Sequence, residues 1–151
     1  MVPFTIFILP ILSLHLGQKI IAGVAIVNGS KILIIQRSAD EDIFPNLWEF
    51  PSGKKEPMEK IEEAARREAK EETGLDIEVK KPITVFNFGW EKENEIRDAT
   101  EIVFLATLKS KPEVKLSSEH QNFAWVDANG IENYEASKET KEAAREALSD
   151  F

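Results

Sequence analysis

Hydrophobic residues recur first at strand spacing and then at helix spacing along this chain. Residues 20–27 and 31–36 are β-branched runs separated by Asn28-Gly29-Ser30, a turn sequence that suits positive φ, so they predict a β-hairpin. Residues 48–50 predict a short aromatic strand. Residues 58–73 have helical character, with Pro57 suited to the first turn and Gly74 just past the end.

The second half of the chain repeats this order of strands followed by a helix. Strands are predicted at 83–90, 101–108 and 123–126, and an acidic loop that contains Glu91, Glu93 and Glu95 separates the first two. A last helix is predicted at 138–148, with Ser137 as its N-cap. Strands, a helix, more strands and a final helix indicate a mixed-sheet α/β domain whose helices cover the sheet.

Composition and charge narrow the possible functions. A chain of 151 residues, with 42% hydrophobic and 30% charged residues, is typical of one globular domain. The net charge of −8 argues against a stable nucleic-acid partner and against docking to an anionic membrane, so a polyphosphate ligand would need metal ions. The absence of cysteine excludes disulfides, thiolate zinc sites, iron–sulfur clusters and a cysteine nucleophile.

The first 17 residues are more apolar than the rest. Residues 4–16 are too few to cross a bilayer, contain Pro10, lack a basic flank and reach Gly17 without an obvious cleavage site. We therefore expect residues 1–17 to be an apolar extension of unknown role, such as an accessory strand or a packed arm. Residues 18–151 are expected to form the single domain of a cytoplasmic protein that is a monomer or a homodimer.

The helix at 58–73 carries the candidate chemistry. On a helical wheel, alanines define an apolar arc, with Glu68 and Glu72 inside it and Glu71 at its border. Carboxylates in such a place must be paired with cations, protonated or bound to metal. Oxygen ligands suit a hard divalent ion such as Mg²⁺ or Mn²⁺. The alternative is a glutamate-rich helix whose acids pair with Arg67.

The spacing of these residues along the sequence is more specific evidence of function than their positions on the helical wheel. The pattern G-x5-E-x7-R-E-U-x-E-E-x-G-U, where U is aliphatic, is completed by Gly53, Glu59, Arg67, Glu68, Ala69, Glu71, Glu72, Gly74 and Leu75. The chain thus resembles the Nudix hydrolase family. Gln36-Arg37-Ser38 and residues 47–51, LWEFP, are similar to the MutT-like branch, so the resemblance covers about residues 18–148.

The resemblance implies an α/β/α sandwich that hydrolyses a nucleoside diphosphate linked to another moiety, with Mg²⁺ or, as a substitute, Mn²⁺. It assigns Glu68 and Glu72 as metal ligands, and Glu71 as a ligand or a carboxylate just behind the ligands. Arg67 would orient the glutamates, and Glu59 would act near the helix start. The backbone carbonyl of Ser52, where many relatives have glycine, would also bind the metal.

Other residues are candidates outside this motif. Glu119 matches the place of a general base in relatives of this branch. The alternative candidates for the base are Glu91, Glu93 and Glu95. Each of these four residues could instead be a solvated acid. Arg37 could bind phosphate or simply be solvated. Trp48 could stack on a base or belong to the core, and neither His15 nor His120 is assigned a role.

We favour a nucleoside triphosphatase that releases the monophosphate and pyrophosphate, because the chain is short and the segments around Arg37 and 48–51 are MutT-like. An ADP-ribose or related pyrophosphatase is the alternative, and a Nudix-fold binding module is a non-enzymatic one. A diphosphate isomerase is disfavoured because those enzymes typically use a cysteine. Ala136-Ser137 stands where a base-reading Asn is expected, which predicts relaxed base choice.

Overall fold

A curved mixed sheet lies between two helices in the computed structural model, which describes residues 17–150. The predicted extension, apart from residue 17, lies outside the described residues. The strands are β1 (Gly17–Asn28), β2 (Lys31–Arg37), β3 (Trp48–Glu49), β4 (Ser52–Lys54), β5 (Ile77–Lys92), β6 (Glu95–Leu108) and β7 (His120–Val126). The helices are α1 (Ile61–Thr73) and α2 (Lys138–Ser149), with a 3-10 turn at Gly130–Asn133.

The strand order is β3-β2-β1-β6-β5, with β4 also paired to β1 and β7 to β2. β1 and β6 are parallel, whereas the other pairs are antiparallel. The alanines of α1 pack on one face of the sheet and those of α2 pack on the other. The predicted mixed sheet and α/β/α sandwich are therefore confirmed.

The first helix begins later than predicted. Lys60 is its N-cap with an extended backbone, and Met58 has a φ of 64°, so the chain before Ile61 is a loop. The placement of Pro57 in the first helical turn was wrong, because positive φ at the next residue is incompatible with a right-handed helix. Gly74 ends the helix as predicted, with a φ of 73°.

The strands after α1 are longer than predicted. β5 and β6 form one hairpin whose turn is Glu93-Asn94, with φ values of 54° and 60°, so the predicted acidic loop is only a hairpin tip. Pro82 interrupts β5 at a register shift, which an edge strand tolerates. The alternation of apolar and polar residues is broken at Pro82, so the sequence analysis predicted this strand only from residue 83.

The remaining elements follow the sequence closely. Gly29 has a φ of 62° in the β1–β2 turn. Ser137 is the N-cap of α2, since its hydroxyl accepts a hydrogen bond from the backbone N–H of Thr140 at 3.1 Å. Within residues 17–150, no helix is long and apolar enough to span a membrane.

Candidate active site

The last turns of α1 direct two carboxylates toward the β4 backbone. Glu72 is only 6% exposed, and its Oε2 accepts a hydrogen bond from the backbone N–H of Ser52 at 2.9 Å. Glu68 lies one turn earlier beside Gly53, where an added Cβ would overlap the carboxyl group of Glu68. A side chain at residue 53 would displace Glu68, so the glycine makes room for the acid.

Burial and neighbouring carboxylates disfavour the ionised forms of Glu68 and Glu72. Burial, together with the nearby carboxylates of Glu49, Glu68 and Glu119, raises the pKa of Glu72 to about 9, although the hydrogen bond from the Ser52 N–H opposes the shift. Burial also raises the pKa of Glu68, against the influence of Arg67. The charged form of this cluster is therefore short of compensating positive charge.

Arg67 organises one side of the cluster. Its Nε and Nη2 donate to the carboxylate of Glu59 at 2.8 and 3.0 Å, and its Nη1 donates to Glu68 at 2.7 Å. The weaker contact to Glu71 is 3.4 Å, and the Glu71 side chain is 58% exposed. Hydrogen bonds from Arg67 hold the pKa of Glu59 at about 2. Pairing with Arg67 thus accounts for Glu59 and Glu68, but not for Glu72.

The loop before β7 brings a third acid to Glu72. The carbonyl oxygens of Glu72 and Thr73 accept hydrogen bonds from the N–H groups of Ser117 and Lys115, which anchors this loop to the end of α1. One ligand atom each from Glu72, Glu119 and His120 lie within 4.8 Å of one another. The exposed Glu119 carboxylate therefore lies next to the buried carboxylate of Glu72.

His120 contributes more than the sequence indicated. Its side chain is 1% exposed and its Nε2 lies 3.0 Å from Oε1 of Glu49. The sequence analysis assigned no role to His120, and tertiary folding places it against Glu49 and near Glu72. The other histidine, His15, lies outside the described residues.

The donor set fits a hard divalent cation. The acids of α1 and Glu119 offer oxygen atoms, Glu72 has no cationic partner among residues 17–150, and Gly53 leaves the space that the Glu68 carboxyl group occupies. Glu71 borders this group from the exposed side of α1, and Ser52 borders it through its backbone. The residues present are suited to Mg²⁺ or Mn²⁺.

Arg37 is not a free guanidinium. Its Nη1 and Nη2 pair with Glu49 at 3.2 Å and Glu41 at 3.3 Å, and its Nε donates to the Ile43 carbonyl at 2.9 Å. The side chain is 22% exposed and lines a cavity. Any phosphate would thus meet an Arg37 whose charge is already shared with two carboxylates.

A cavity of about 600 Å³ adjoins the acids. Ser52, Gly53 and Glu119 belong to its lining, and four further residues, which we call the aromatic wall, are Phe44, Phe86, Phe88 and Trp90. Neighbouring rings of this wall have centroids 5.7 to 6.4 Å apart. Lys19 lies 5.4 Å above the ring of Trp90. The wall offers flat apolar faces of the kind on which a nucleobase stacks.

Glu101 is another acid of the cavity lining. Glu101 on β6 pairs across the strands with Phe86, so both side chains lie on the same face of the sheet. Burial raises the pKa of Glu101 to about 8, with a further contribution from Glu49. Glu101 thus lies beside the aromatic wall.

Trp48 is not a cavity residue. It packs edge-on against Tyr134, with centroids 4.8 Å apart, and joins the core beneath α2. The geometry therefore favours the core interpretation of Trp48 over the stacking one. The residues that the sequence analysis missed are Glu49, Glu101, His120 and the aromatic wall. Alternating aromatics at 86, 88 and 90 could have indicated the wall, but the two acids carry no local signal.

The acid cluster and the motif around it can be compared with known proteins. The family model of the NUDIX domain matches residues 17–151. The protein belongs to the Nudix family. This confirms the resemblance inferred from the motif, and the MutT-like relatives below support it.

Curated relatives of this Nudix protein include nucleoside triphosphatases. It is 30% identical over 135 residues to nucleoside triphosphatase NudI of Klebsiella pneumoniae, covering 82% of this chain and 92% of that protein. The NudI of Escherichia coli K12 is 30% identical over 139 residues, with 85% and 95% covered. The chain is thus a Nudix pyrophosphohydrolase, and the prediction of an enzyme is confirmed.

Solved structures agree with the Nudix fold. The MutT protein of Methanosarcina mazei has a TM-score of 0.75 at 26% identity, covering 91% of this chain and 98% of that chain. An Ap4A hydrolase of C. elegans has a TM-score of 0.66 at 26% identity, with 88% and 96% covered.

The burial of Glu101 in this Nudix protein predicts a pH-dependent difference in stability. The folded state holds its proton up to about pH 8, whereas the ordinary value is 4.5, so its contribution to the free energy of unfolding falls as pH rises between these values. Relative to the native protein, Glu101→Gln should gain stability with pH, by at most about 1.4 kcal/mol per pH unit. Urea denaturation at about pH 5 and about pH 8 measures this, and equal differences at both would contradict it.

Proposed function

We propose that this Nudix hydrolase cleaves nucleoside triphosphates to the monophosphate and pyrophosphate in the presence of Mg²⁺, with Mn²⁺ as a possible substitute. The observation that carries the proposal is one cavity whose lining includes both the edge of the acid cluster and the aromatic wall. Such a cavity would take the phosphates at Gly53 and Glu119 and the base at the wall. The similarity to NudI proteins favours triphosphates.

The metal would be held by the acids of α1. Glu68 and Glu72 are the proposed ligands, Glu71 is a ligand or supports them, and the carbonyl of Ser52 is the proposed backbone ligand. When bound, divalent ions would offset the negative charge of the phosphates, polarise phosphorus and lower the pKa of water. They would also offset the repulsion between an anionic substrate and a chain whose net charge is −8.

The remaining residues position the groups and move a proton. Arg67 would keep Glu68 in place through its 2.7 Å hydrogen bond while Glu59 holds the other side of the guanidinium. Arg37 would orient substrate phosphates from the cavity wall. Glu119 would accept the proton of the water that attacks phosphorus, since its carboxylate is exposed and close to Glu72.

Glu91, Glu93 and Glu95 are less suited to act as that base. They flank the β5–β6 turn, and none of them lines the cavity. We also expect no stable nucleic-acid or membrane partner, a monomer or homodimer, and a cytoplasmic location.

A substrate panel tests the proposed function. We expect kcat/KM for the common and oxidised nucleoside triphosphates to exceed the value for ADP-ribose. Product analysis should give the monophosphate and pyrophosphate. A value for ADP-ribose more than about tenfold above every triphosphate, about 1.4 kcal/mol in transition-state binding, would favour a nucleoside-diphosphate-X pyrophosphatase instead.

Glu72→Gln tests the metal assignment. The amide keeps an acceptor for the Ser52 N–H but removes the charge. We therefore expect kcat at saturating Mg²⁺ to fall by at least about 100-fold, which corresponds to about 2.7 kcal/mol of lost charge stabilisation. Glu63→Gln, on the exposed side of the same helix, is the control and should keep its activity. Undiminished kcat in Glu72→Gln would reject Glu72 as a ligand.

Glu119→Gln separates a base from a ligand. A base acts on the nucleophile, so kcat should fall on the order of 10²-fold or more while Mn²⁺ affinity, followed by calorimetric titration, changes little. Glu113→Gln, which is exposed in the same loop, serves as the control. Loss of metal affinity together with kcat would identify Glu119 as a ligand.

A further inference from the structure

Glu101 is an acid without a partner in the cavity. Among residues 17–150, its carboxyl makes neither a hydrogen bond nor an ion pair, although it is partly buried and lines the cavity. Its cross-strand neighbour is Phe86, the first β5 residue of the aromatic wall. A ligand that stacks on the wall would meet this carboxyl at its edge.

The fold makes room for this acid. A Cβ added to Gly23 of β1 would overlap Oε1 of Glu101 and would lie 3.3 Å from the Val103 side chain. Any larger residue at 23 would push the flexible end of Glu101 aside. The backbone of β1 thus leaves a space that the carboxylate of Glu101 occupies.

The position is unfavourable for the charged acid in the free protein. Burial and the Glu49 carboxylate both disfavour ionisation of Glu101, as its raised pKa of about 8 reflects. Arg37, which lines the same cavity, pairs with Glu41 and Glu49 and not with Glu101. N–H donors of a ligand would supply the hydrogen bonds that the protein does not.

We propose that Glu101 reads the nucleobase by accepting a hydrogen bond from the exocyclic amino group of a base stacked on the aromatic wall. The enzyme would then select amino-bearing bases, such as cytosine and adenine, over their oxo-bearing counterparts uracil and hypoxanthine. This inference rests on the proposed function for the placement of the nucleotide. It replaces relaxed base choice with selection by a single chemical group.

The chemistry of a carboxylate sets the direction of this preference. Hydrogen bonds from a bound amino group favour the ionised form of Glu101 and lower its pKa. The ionised carboxylate only accepts hydrogen bonds, so it pairs with that amino group and repels a carbonyl oxygen at the same place. Glutamate pairing with the amino group of cytosine is a known form of base recognition. In Glu101→Gln, the side-chain amide can present either an oxygen or an N–H group, so this variant accepts both kinds of base.

The turnover experiment compares CTP with UTP and ATP with ITP. We expect the native enzyme to favour the amino-bearing member of each pair by about 10- to 100-fold in kcat/KM. In Glu101→Gln, the ratio should fall to within about threefold of unity. Asp98→Asn, on the same strand but the opposite face of the sheet, removes an equal charge and should keep the native ratio.

Gly23→Ala provides a second variant that leaves the chemistry of Glu101 intact. The added methyl group displaces the carboxyl, so the amino-to-oxo ratio should fall as it does in Glu101→Gln. Near-unity or reversed ratios in the native enzyme, or native ratios retained in Glu101→Gln, would overturn the proposal. If Glu101→Gln does not fold, retained native ratios in Gly23→Ala would overturn it.

A binding experiment separates this inference from the proposed function. CMP and UMP contain no phosphoanhydride, so their calorimetric affinities report base recognition regardless of which anhydride the enzyme cleaves. Tighter binding of CMP that is lost in Glu101→Gln supports the inference even if triphosphates are not hydrolysed. Triphosphate hydrolysis with equal CMP and UMP affinities would retain the proposed function and overturn the role of Glu101.

Discussion

The hydrogen bond between the Glu72 carboxylate and the Ser52 N–H underlies the arrangement of the active site. It joins the last turn of α1 to β4 at 2.9 Å and holds an acid where little water reaches it. A buried carboxylate is costly without compensation, and one backbone hydrogen bond does not remove that cost. The helix therefore presents a site that favours a cation, while its alanines pack on the sheet.

Two glycines serve the same purpose on the two sides of this site. Gly53 leaves space for Glu68 next to the cluster, and Gly23 leaves space for Glu101 in the cavity. Neither residue has a positive φ, so neither is required by backbone conformation. Each is required by the close approach of a glutamate, which means that the strands β1 and β4 accommodate acids as well as hydrophobic packing.

Arginines stabilise the acids without neutralising all of them. Arg67 binds Glu59 and Glu68 and contacts Glu71, whereas Arg37 binds Glu41 and Glu49, so each guanidinium group is shared among carboxylates. Glu72 and Glu101 have neither arginine as a partner. The two acids with pKa values raised to about 9 and about 8 are those that face the proposed metal and the proposed base.

Local sequence was sufficient to establish the family, the sandwich and the acids of α1, because motif spacing and helical periodicity do not depend on distant contacts. Helical spacing alone placed Glu72 among alanines, and the structure buries it there. Tertiary contacts were needed to establish the start of α1, the core position of Trp48 and the surroundings of Glu49, His120 and Glu101. The surroundings of Glu101 and His120 depend on strands that are far apart in sequence. Glu101 on β6 lies next to Gly23 of β1, and His120 on β7 lies next to Glu49 of β3. Such pairings are set by the packing of the whole sheet, for which a single strand carries no local signal.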